Sequence, residues 1–135
     1  MKNLSIIIPA RNESENLPQC ISEISETLSR NSIEYEILVI DDGSNDNTPE
    51  VIHNLKKEYP ALIGIRNNLE NGFGRAIRIG LNEYSGDAVA IMMADRSDSP
   101  ADLVSYWNEL QDGTECVFGS RFVHGSRVLD YPLFK

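Results

Sequence analysis

Hydrophobic residues occur along this chain in two alternating patterns. Short apolar runs rich in β-branched residues, at positions 4–9, 36–40, 61–66, 88–93 and 116–118, are typical of buried parallel strands. Between the runs, apolar residues recur every three or four positions, as Leu17, Ile21, Ile24 and Leu28 do, and this spacing places them on one face of a helix. Five strands that alternate with four helices predict an α/β domain with a mostly parallel sheet and helices on both faces.

The predicted helices have recognisable ends. Thr48 is the expected N-cap of the second helix, with Pro49 at its first position, and Ser99 and Pro100 begin the fourth helix in the same way. Gly113 ends the fourth helix. The third helix is expected to bury one apolar stripe, which consists of Ala76, Ile77, Leu81 and Tyr84.

Composition and charge narrow the class of protein. The 135 residues are 41% hydrophobic, enough for one core and one domain. No apolar run approaches the roughly 18 residues of a membrane span, and the N-terminus lacks a secretory signal, so we expect a cytoplasmic protein. A formal net charge of -9 disfavours nucleic-acid binding. Cys20 and Cys116 have neither zinc-site nor disulfide spacing, and we expect both to be buried free thiols.

Polar segments follow four of the five predicted strands. They read PARNE, DDGSND, ADRSD and GSRF. Because ligands of open parallel sheets bind beyond the carboxyl ends of the strands, this convergence predicts a binding site at that edge. Such residues also form turns and cap helices, and Asp46 and Thr48 are expected to do only that.

Four carboxylates at this edge suggest specific chemistry. Asp41 and Asp42 are adjacent and repel each other unless a donor or cation is shared, so one of them is expected to meet a ligand donor. Asp95 can hold a divalent cation against a diphosphate, since Mg²⁺ and Mn²⁺ use few protein ligands. Asp98 either assists directly or through water, or is a plain loop aspartate. The glycines of GFG at 72–74 are a weak phosphate signal, and the P-loop and dinucleotide fingerprints are absent from the sequence.

Five motifs in order carry a resemblance to a known family. SIIIPARNE, EILVIDDGSNDNT, NGFGRAIRIGL, AIMMADRSDSP and FGSRF resemble the family 2 glycosyltransferases, in particular the dolichol-phosphate mannosyltransferase-like branch. The resemblance implies a GT-A fold, a Rossmann-like three-layer α/β sandwich with a mostly parallel central sheet. Residues 1–122 would form the nucleotide-sugar-binding core, and residues 123–135 would begin a truncated acceptor-side segment.

The family resemblance also implies an activity. Members transfer a sugar with inversion from a GDP- or UDP-linked donor to a polyprenyl phosphate or another glycan acceptor. The protein would then associate peripherally with the cytosolic face of a membrane. A phosphate acceptor is already an anionic nucleophile, which agrees with the absence of a recognisable general base from the sequence.

Residue roles follow from the same resemblance. Asp95 and Arg121 are the expected catalytic residues, and Asp95 with Asp98 would bind Mg²⁺ or Mn²⁺. Ser120 and Arg121 would face the transferred sugar or the acceptor phosphate. The full set of expected substrate-binding residues is Pro9, Ala10, Arg11, Glu13, Ile40, Asp41, Asp42, Gly72, Arg75, Ala94, Ser97 and Ser120.

Two departures from the family pattern leave alternatives open. The Asp-x-Asp signature reads Met93-Ala94-Asp95, so the first carboxylate is absent, and family members usually continue beyond this length. A truncated or non-catalytic GT-A-like nucleotide-binding module is therefore the alternative function. A nucleotidyltransferase is a third reading, and the lack of a glycine-rich loop after the first strand counts against it.

Overall fold

Strands and helices alternate strictly in the computed structural model, which describes residues 1–117. The strands are β1 (Asn3–Ala10), β2 (Glu34–Asp41), β3 (Leu62–Arg66) and β4 (Ala88–Ile91), and the helices are α1 (Leu17–Arg30), α2 (Thr48–Glu58), α3 (Phe73–Glu83) and α4 (Pro100–Gln111). The four strands are all parallel and lie in the order β3-β2-β1-β4. The predicted parallel α/β architecture is confirmed for this stretch.

Three layers result from the alternation of side chains along the central strands. Ile6 and Ile8 of β1 pack into a core with residues of α1, α2 and α4, whereas Ile7 packs on the opposite face with Ala76 of α3. Because helices cover both faces, each central strand contains an apolar run without alternation, at 6–10 in β1 and 37–40 in β2, and both runs are buried. Both strands thus place their carboxyl ends, and the loops that follow, at one edge of the sheet.

The predicted apolar stripe of α3 is partly wrong. Ala76 is buried as expected, but Leu81 and Tyr84 are 43% and 38% exposed, and Gly80 is buried instead. A Cβ added to Gly80 would lie 2.7 Å from Cγ2 of Ile7, so the helix approaches the sheet through a residue without a side chain. A pattern of apolar side chains cannot detect this contact because glycine has none.

Smaller differences concern the element ends and the C-terminal part. Helix α2 begins at Thr48 itself and follows Asn47, one residue earlier than predicted. Cys20 is buried as expected, but Cys116 is exposed, so that prediction is wrong. Residues 116 and 117 are not in a strand, and the rest of the predicted fifth strand lies outside the described residues, as do Ser120, Arg121 and 123–135. Within residues 1–117, none of the helices is long and apolar enough to cross a membrane.

Candidate functional site

Backbone hydrogen bonds bring the loops after β1, β2 and β3 together at the carboxyl edge. The Asp42 amide donates to the Ala10 carbonyl at 2.8 Å, and the Asn67 amide donates to the Asp41 carbonyl at 2.9 Å. The side chains of the strand-end residues Pro9, Ala10 and Ile40 are themselves buried. Arg11, which follows Ala10, is exposed and can present its side chain to a ligand at this edge.

Asn12 joins the β1–α1 loop to the β2–α2 loop. Its side-chain oxygen accepts the amide of Asn45 at 2.7 Å, and its own amide donates to the hydroxyl of Ser44 at 3.0 Å. Asn12 has a φ of 55°, in the left-handed region that asparagine tolerates better than most residues. Next along the chain, the Glu13 amide donates to Thr48 Oγ1 at 3.1 Å. This network was not predicted from the sequence. An asparagine within a strand-end loop is the feature that could have indicated it.

Asp46 caps the start of α2, as predicted from the sequence. It accepts the Thr48 amide at 2.9 Å and also binds the Thr48 hydroxyl. The hydrogen bond from that hydroxyl is the main cause that lowers the pKa of Asp46 to about 2. The same carboxylate accepts the hydroxyl of Ser14 at 2.8 Å, so it also holds the β1–α1 loop. Asp46 therefore does more than cap a helix, although each of these contacts is internal to the protein.

Protein donors satisfy both of the adjacent carboxylates at the end of β2. Asp41 accepts Arg66 Nη1 at 2.9 Å and the Ser44 amide at 3.1 Å. Asp42 accepts the side-chain amide of Asn67 at 2.9 Å and the backbone amide of Gly72 at 3.1 and 3.2 Å. Both aspartates are buried, and each accepts hydrogen bonds from donors of the protein. Donors of the protein therefore offset the repulsion between the two carboxylates, and a donor from a ligand is not needed for that purpose.

Arg11 lies over the loop between β3 and α3. With the Asn71 amide oriented so that its oxygen faces Arg11, that oxygen accepts hydrogen bonds from the two terminal nitrogens of Arg11 at 2.9 and 3.1 Å. Gly43 has a φ of +73°, in the left-handed region that favours glycine, and a Cβ there would displace the Asn71 side chain, whose nearest atom lies 2.5 Å away. Arg75 pairs with Glu70 at 3.1 Å, and both side chains are largely exposed. A side chain of the β3–α3 loop thus holds the guanidinium of Arg11 at this edge.

The β4–α4 loop carries the candidate cation ligands. Asp95 accepts the Ser97 amide through Oδ1 at 3.0 Å, and Asp98 accepts the Met93 amide through Oδ2 at 2.9 Å. Both aspartates are exposed, whereas Ala94 between the motif positions is buried. The second oxygen of each carboxylate accepts no hydrogen bond from residues 1–117. Two hard oxygen ligands on one turn therefore remain available.

These ligands fit a cation that a diphosphate shares. Among the described residues, no group of three or more His, Cys, Asp or Glu side chains lies close enough to hold a metal ion. Mg²⁺ and Mn²⁺ favour carboxylate oxygens and commonly complete their shell with phosphate and water. The donor set thus suits a cation bound together with a phosphorylated ligand, and it does not form a closed all-protein site.

A cavity lies at the opposite end of the sheet from the candidate site. Its volume is about 660 Å³, and the residues that line it include Asn3, Tyr35, Glu36, Tyr59 and Ser85. The carboxylate of Glu36 there is already bound by the hydroxyl of Ser5 and by Ser85, so it is a structural group. The predicted ligand-binding residues that lie within residues 1–117 are at the carboxyl edge of the sheet and not at this cavity.

Comparison with known proteins identifies relatives of this sequence. The sequence model described as "Glycosyl transferase family 2" matches residues 5–135. The chain is 36% identical over 132 residues to the dolichol-phosphate mannosyltransferase of Pyrococcus furiosus, an alignment that covers 98% of this chain and 37% of the relative. It is 32% identical over 118 residues to the undecaprenyl-phosphate 4-deoxy-4-formamido-L-arabinose transferase of Yersinia enterocolitica, covering 87% of this chain and 36% of that protein.

A solved structure shares the fold. The mannosyltransferase PcManGT from Pyrobaculum calidifontis, in complex with GDP-Man and Mn²⁺, superposes with a TM-score of 0.61 at 26% identity. The match covers 68% of this chain and 27% of that one. The chain described here therefore spans little more than a third of the length of the curated relatives that it matches.

Proposed function

Because this chain belongs to glycosyl transferase family 2 and has the α/β GT-A fold of those enzymes, we propose that it binds a nucleoside-diphosphate sugar at the carboxyl edge of its sheet. We further propose that the protein transfers this sugar, with inversion, to a lipid phosphate such as a polyprenyl phosphate. The observation that carries the proposal is the convergence of the loops after β1, β2 and β3 on one edge, around Arg11 and the buried aspartates.

The relatives support the chemical class of donor and acceptor. One has been solved with GDP-Man and Mn²⁺, which favours a nucleoside-diphosphate sugar and a divalent cation for this chain as well. The two curated relatives are named for dolichol phosphate and undecaprenyl phosphate, which are both polyprenyl phosphates. A lipid-linked acceptor in turn favours action at the cytosolic face of a membrane.

Residues of this chain would meet the donor in two ways. Arg11, which Asn71 holds in place, would bind the diphosphate with charged hydrogen bonds. Asp95, assisted by Asp98, would hold Mg²⁺ or Mn²⁺, and such a cation stabilises the charge that a leaving nucleoside diphosphate gains. Ser97 would lie beside this cation, and Glu13 would contact the nucleoside. Since the acceptor phosphate is anionic, this scheme needs no strong general base.

Calorimetric titration of the 135-residue chain tests donor binding directly. We expect saturable binding of a GDP- or UDP-sugar that strengthens when Mn²⁺ is added, because both carboxylates lie at the edge that the donor would occupy. Circular dichroism of the same sample provides the control for folding. A folded chain that binds neither class of nucleotide sugar would contradict the proposal, and release of pyrophosphate from a nucleoside triphosphate would favour a nucleotidyltransferase.

A non-catalytic nucleotide-binding module is the second candidate. It is favoured by Met93, which occupies the first position of the acidic signature. The two functions differ in turnover. Transfer of sugar to a short polyprenyl phosphate by this chain would eliminate the second candidate, whereas donor binding without transfer would support it.

A further inference from the structure

We propose that Glu23, on the surface of α1, is a positioning residue for the cation-binding carboxylates of the β4–α4 loop, and that it acts through Arg96. This inference rests on the proposed function, since it concerns the same site. Glu23 is distant in sequence from the loop and is absent from the motifs that carry the family resemblance. The contact between α1 and the loop became visible only in the folded chain.

A two-point ion pair joins the helix to the loop. Arg96 Nη2 lies 2.6 Å from Glu23 Oε1, and Arg96 Nε donates to Glu23 Oε2 at 3.4 Å. The two side chains are 37% and 36% exposed, so this pair is less exposed than the Arg30–Glu26 and Arg75–Glu70 pairs. Gln19, one turn earlier on α1, donates to Glu23 Oε1 at 3.1 Å and helps to orient it. These hydrogen bonds lower the pKa of Glu23, with the bond from Arg96 as the largest cause, and so favour its charged form.

The backbone of the loop depends on this support. Arg96 has a φ of 66°, which is unfavourable for a long side chain. It lies inside a turn that the bond between Asp95 Oδ1 and the Ser97 amide closes, and the bond between Asp98 and the Met93 amide closes the wider loop. The ion pair with Glu23 is a contact from outside the loop that also holds Arg96 in this conformation.

The same helix contacts the loop at a second point. Cys20, three residues before Glu23, places its sulfur 4.0 Å from the carbonyl oxygen of Met93. Residues three apart lie on the same face of a helix, so one face of α1 contacts the loop at Met93 and at Arg96. The loop that carries the two carboxylates thus packs against α1.

Charge gives Glu23 a second effect on the same site. Arg96 directly follows Asp95 and lies two residues before Asp98, so its guanidinium is within reach of both candidate ligands when it is not held elsewhere. A released Arg96 would pair with one of these carboxylates and compete with a divalent cation. Glu23 neutralises Arg96 and keeps it against α1, which leaves the free carboxylate oxygens for the cation.

The test measures Mn²⁺ affinity of the whole chain in the presence of GDP, by electron paramagnetic resonance of free Mn²⁺. We expect Glu23→Gln to weaken Mn²⁺ binding about tenfold, the lower end of what the loss of an outer partner of a metal site costs. Glu26→Gln is the matched control, because Glu26 lies on the same helix and pairs with Arg30 at 2.7 Å away from the loop. It should leave the affinity unchanged.

A double variant distinguishes action through Arg96 from a general effect on the fold. Arg96→Gly removes the competing cation and suits a left-handed backbone, so Glu23→Gln should have no further effect when combined with it. An equal loss of Mn²⁺ affinity from Glu23→Gln in both backgrounds would overturn the inference. Independently of any metal, the Met93 and Ser97 amide hydrogens should exchange faster in Glu23→Gln, and unchanged exchange would also count against it.

The outcomes for the wild-type chain separate the two proposals. If the folded wild type binds no Mn²⁺ in the presence of GDP, the cation site of the proposed function is contradicted, and this inference fails with it. If the wild type binds Mn²⁺ and GDP but Glu23→Gln binds them equally well, only the role of Glu23 is overturned.

Discussion

Asp95 and Asp98 lie on the same short loop but hold different parts of it. Asp95 binds the amide of Ser97, two residues on, whereas Asp98 reaches back to the amide of Met93. An asparagine at either position keeps an oxygen that can accept the same amide, while it removes the charge that a cation requires. Charge-neutral substitutions therefore separate metal binding from loop closure at the level of single residues.

Asp95→Asn should weaken Mn²⁺-dependent binding of a GDP-sugar more than Asp98→Asn does. The expected loss is about tenfold or more for Asp95, in line with the removal of a direct charged ligand. Calorimetric titration with and without Mn²⁺ measures it, and the affinity without Mn²⁺ provides the internal control. The opposite ranking would show that Asp98 is the principal ligand and that Asp95 has the accessory role.

The two cysteines should differ sharply in reactivity. Cys20 is only 3% exposed, and burial, assisted by nearby Glu23, raises the pKa of its thiol to about 11. At pH 8 only about one Cys20 thiol in a thousand would be ionised, whereas Cys116 is exposed. A thiol reagent should thus label Cys116 quickly in the native chain, whereas it should label both cysteines in denaturant. Fast labelling of the native Cys116→Ser variant would contradict the burial of Cys20.

At the scale of elements, a close contact at Gly80 helps to place α3 on the sheet, beside the apolar residues that this helix buries. Gly80 lies against the side chain of Ile7 in the centre of β1, while the larger residues Leu81 and Tyr84 remain partly exposed. The start of this helix presents Gly72, whose amide binds Asp42, to the carboxyl edge. The fit at Gly80 therefore helps to set where the β3–α3 loop meets the candidate site.

Gly80→Ala should lower the free energy of unfolding by about 1–3 kcal/mol, since its Cβ would overlap Ile7. A Cβ there lies 2.7–2.8 Å from three carbons of Ile7. Chemical denaturation measures the effect. Gly74→Ala, on the same helix with no atom within 4 Å of its added Cβ, is the matched control and should be neutral or stabilising. Gly80→Ala that is no less stable than Gly74→Ala would refute the close contact.

At the scale of the whole molecule, carboxylates with lowered pKa values connect elements that are distant in sequence. Asp87 accepts the amides of Lys2 and Asn3 at 2.7 and 3.0 Å, and these bonds lower its pKa. Asp46 likewise joins the first two loops of the carboxyl edge, with a pKa of about 2. Protonation of such groups weakens contacts at both ends of the sheet.

Acid should therefore destabilise the chain in a defined pH window. A carboxylate whose folded pKa lies below its unfolded value stabilises the fold fully above the unfolded value, and this contribution is lost as pH falls through the folded pKa. For Asp46 the window runs from about 4 to about 2. Asp46→Asn should flatten the decline in unfolding free energy there, measured by denaturation at several pH values. Asp112→Asn, at the exposed end of α4, should preserve the decline.

The local pattern of the sequence predicted much of the fold. The β-branched runs of β1 and β2, together with helical periodicity in α1, were sufficient to predict parallel strands with covering helices, because burial on both faces leaves a continuous apolar signature. Helix starts were located through Pro49 and Pro100 to within a residue. The face of α3 and the exposure of Cys116 were predicted wrongly, since both depend on which neighbour is present and not on residue type.

At the candidate site, the sequence by itself determined which polar residues follow the strands, and the parallel order then brings them to one edge. The tertiary structure alone decided what each residue binds: Asp41 and Asp42 are occupied by Arg66, Asn67 and Gly72, while Glu23 of α1 holds Arg96. Strand and helix periodicity are local properties, set by the backbone and by burial. Hydrogen-bond partners depend on distances between segments that only the folded chain brings together.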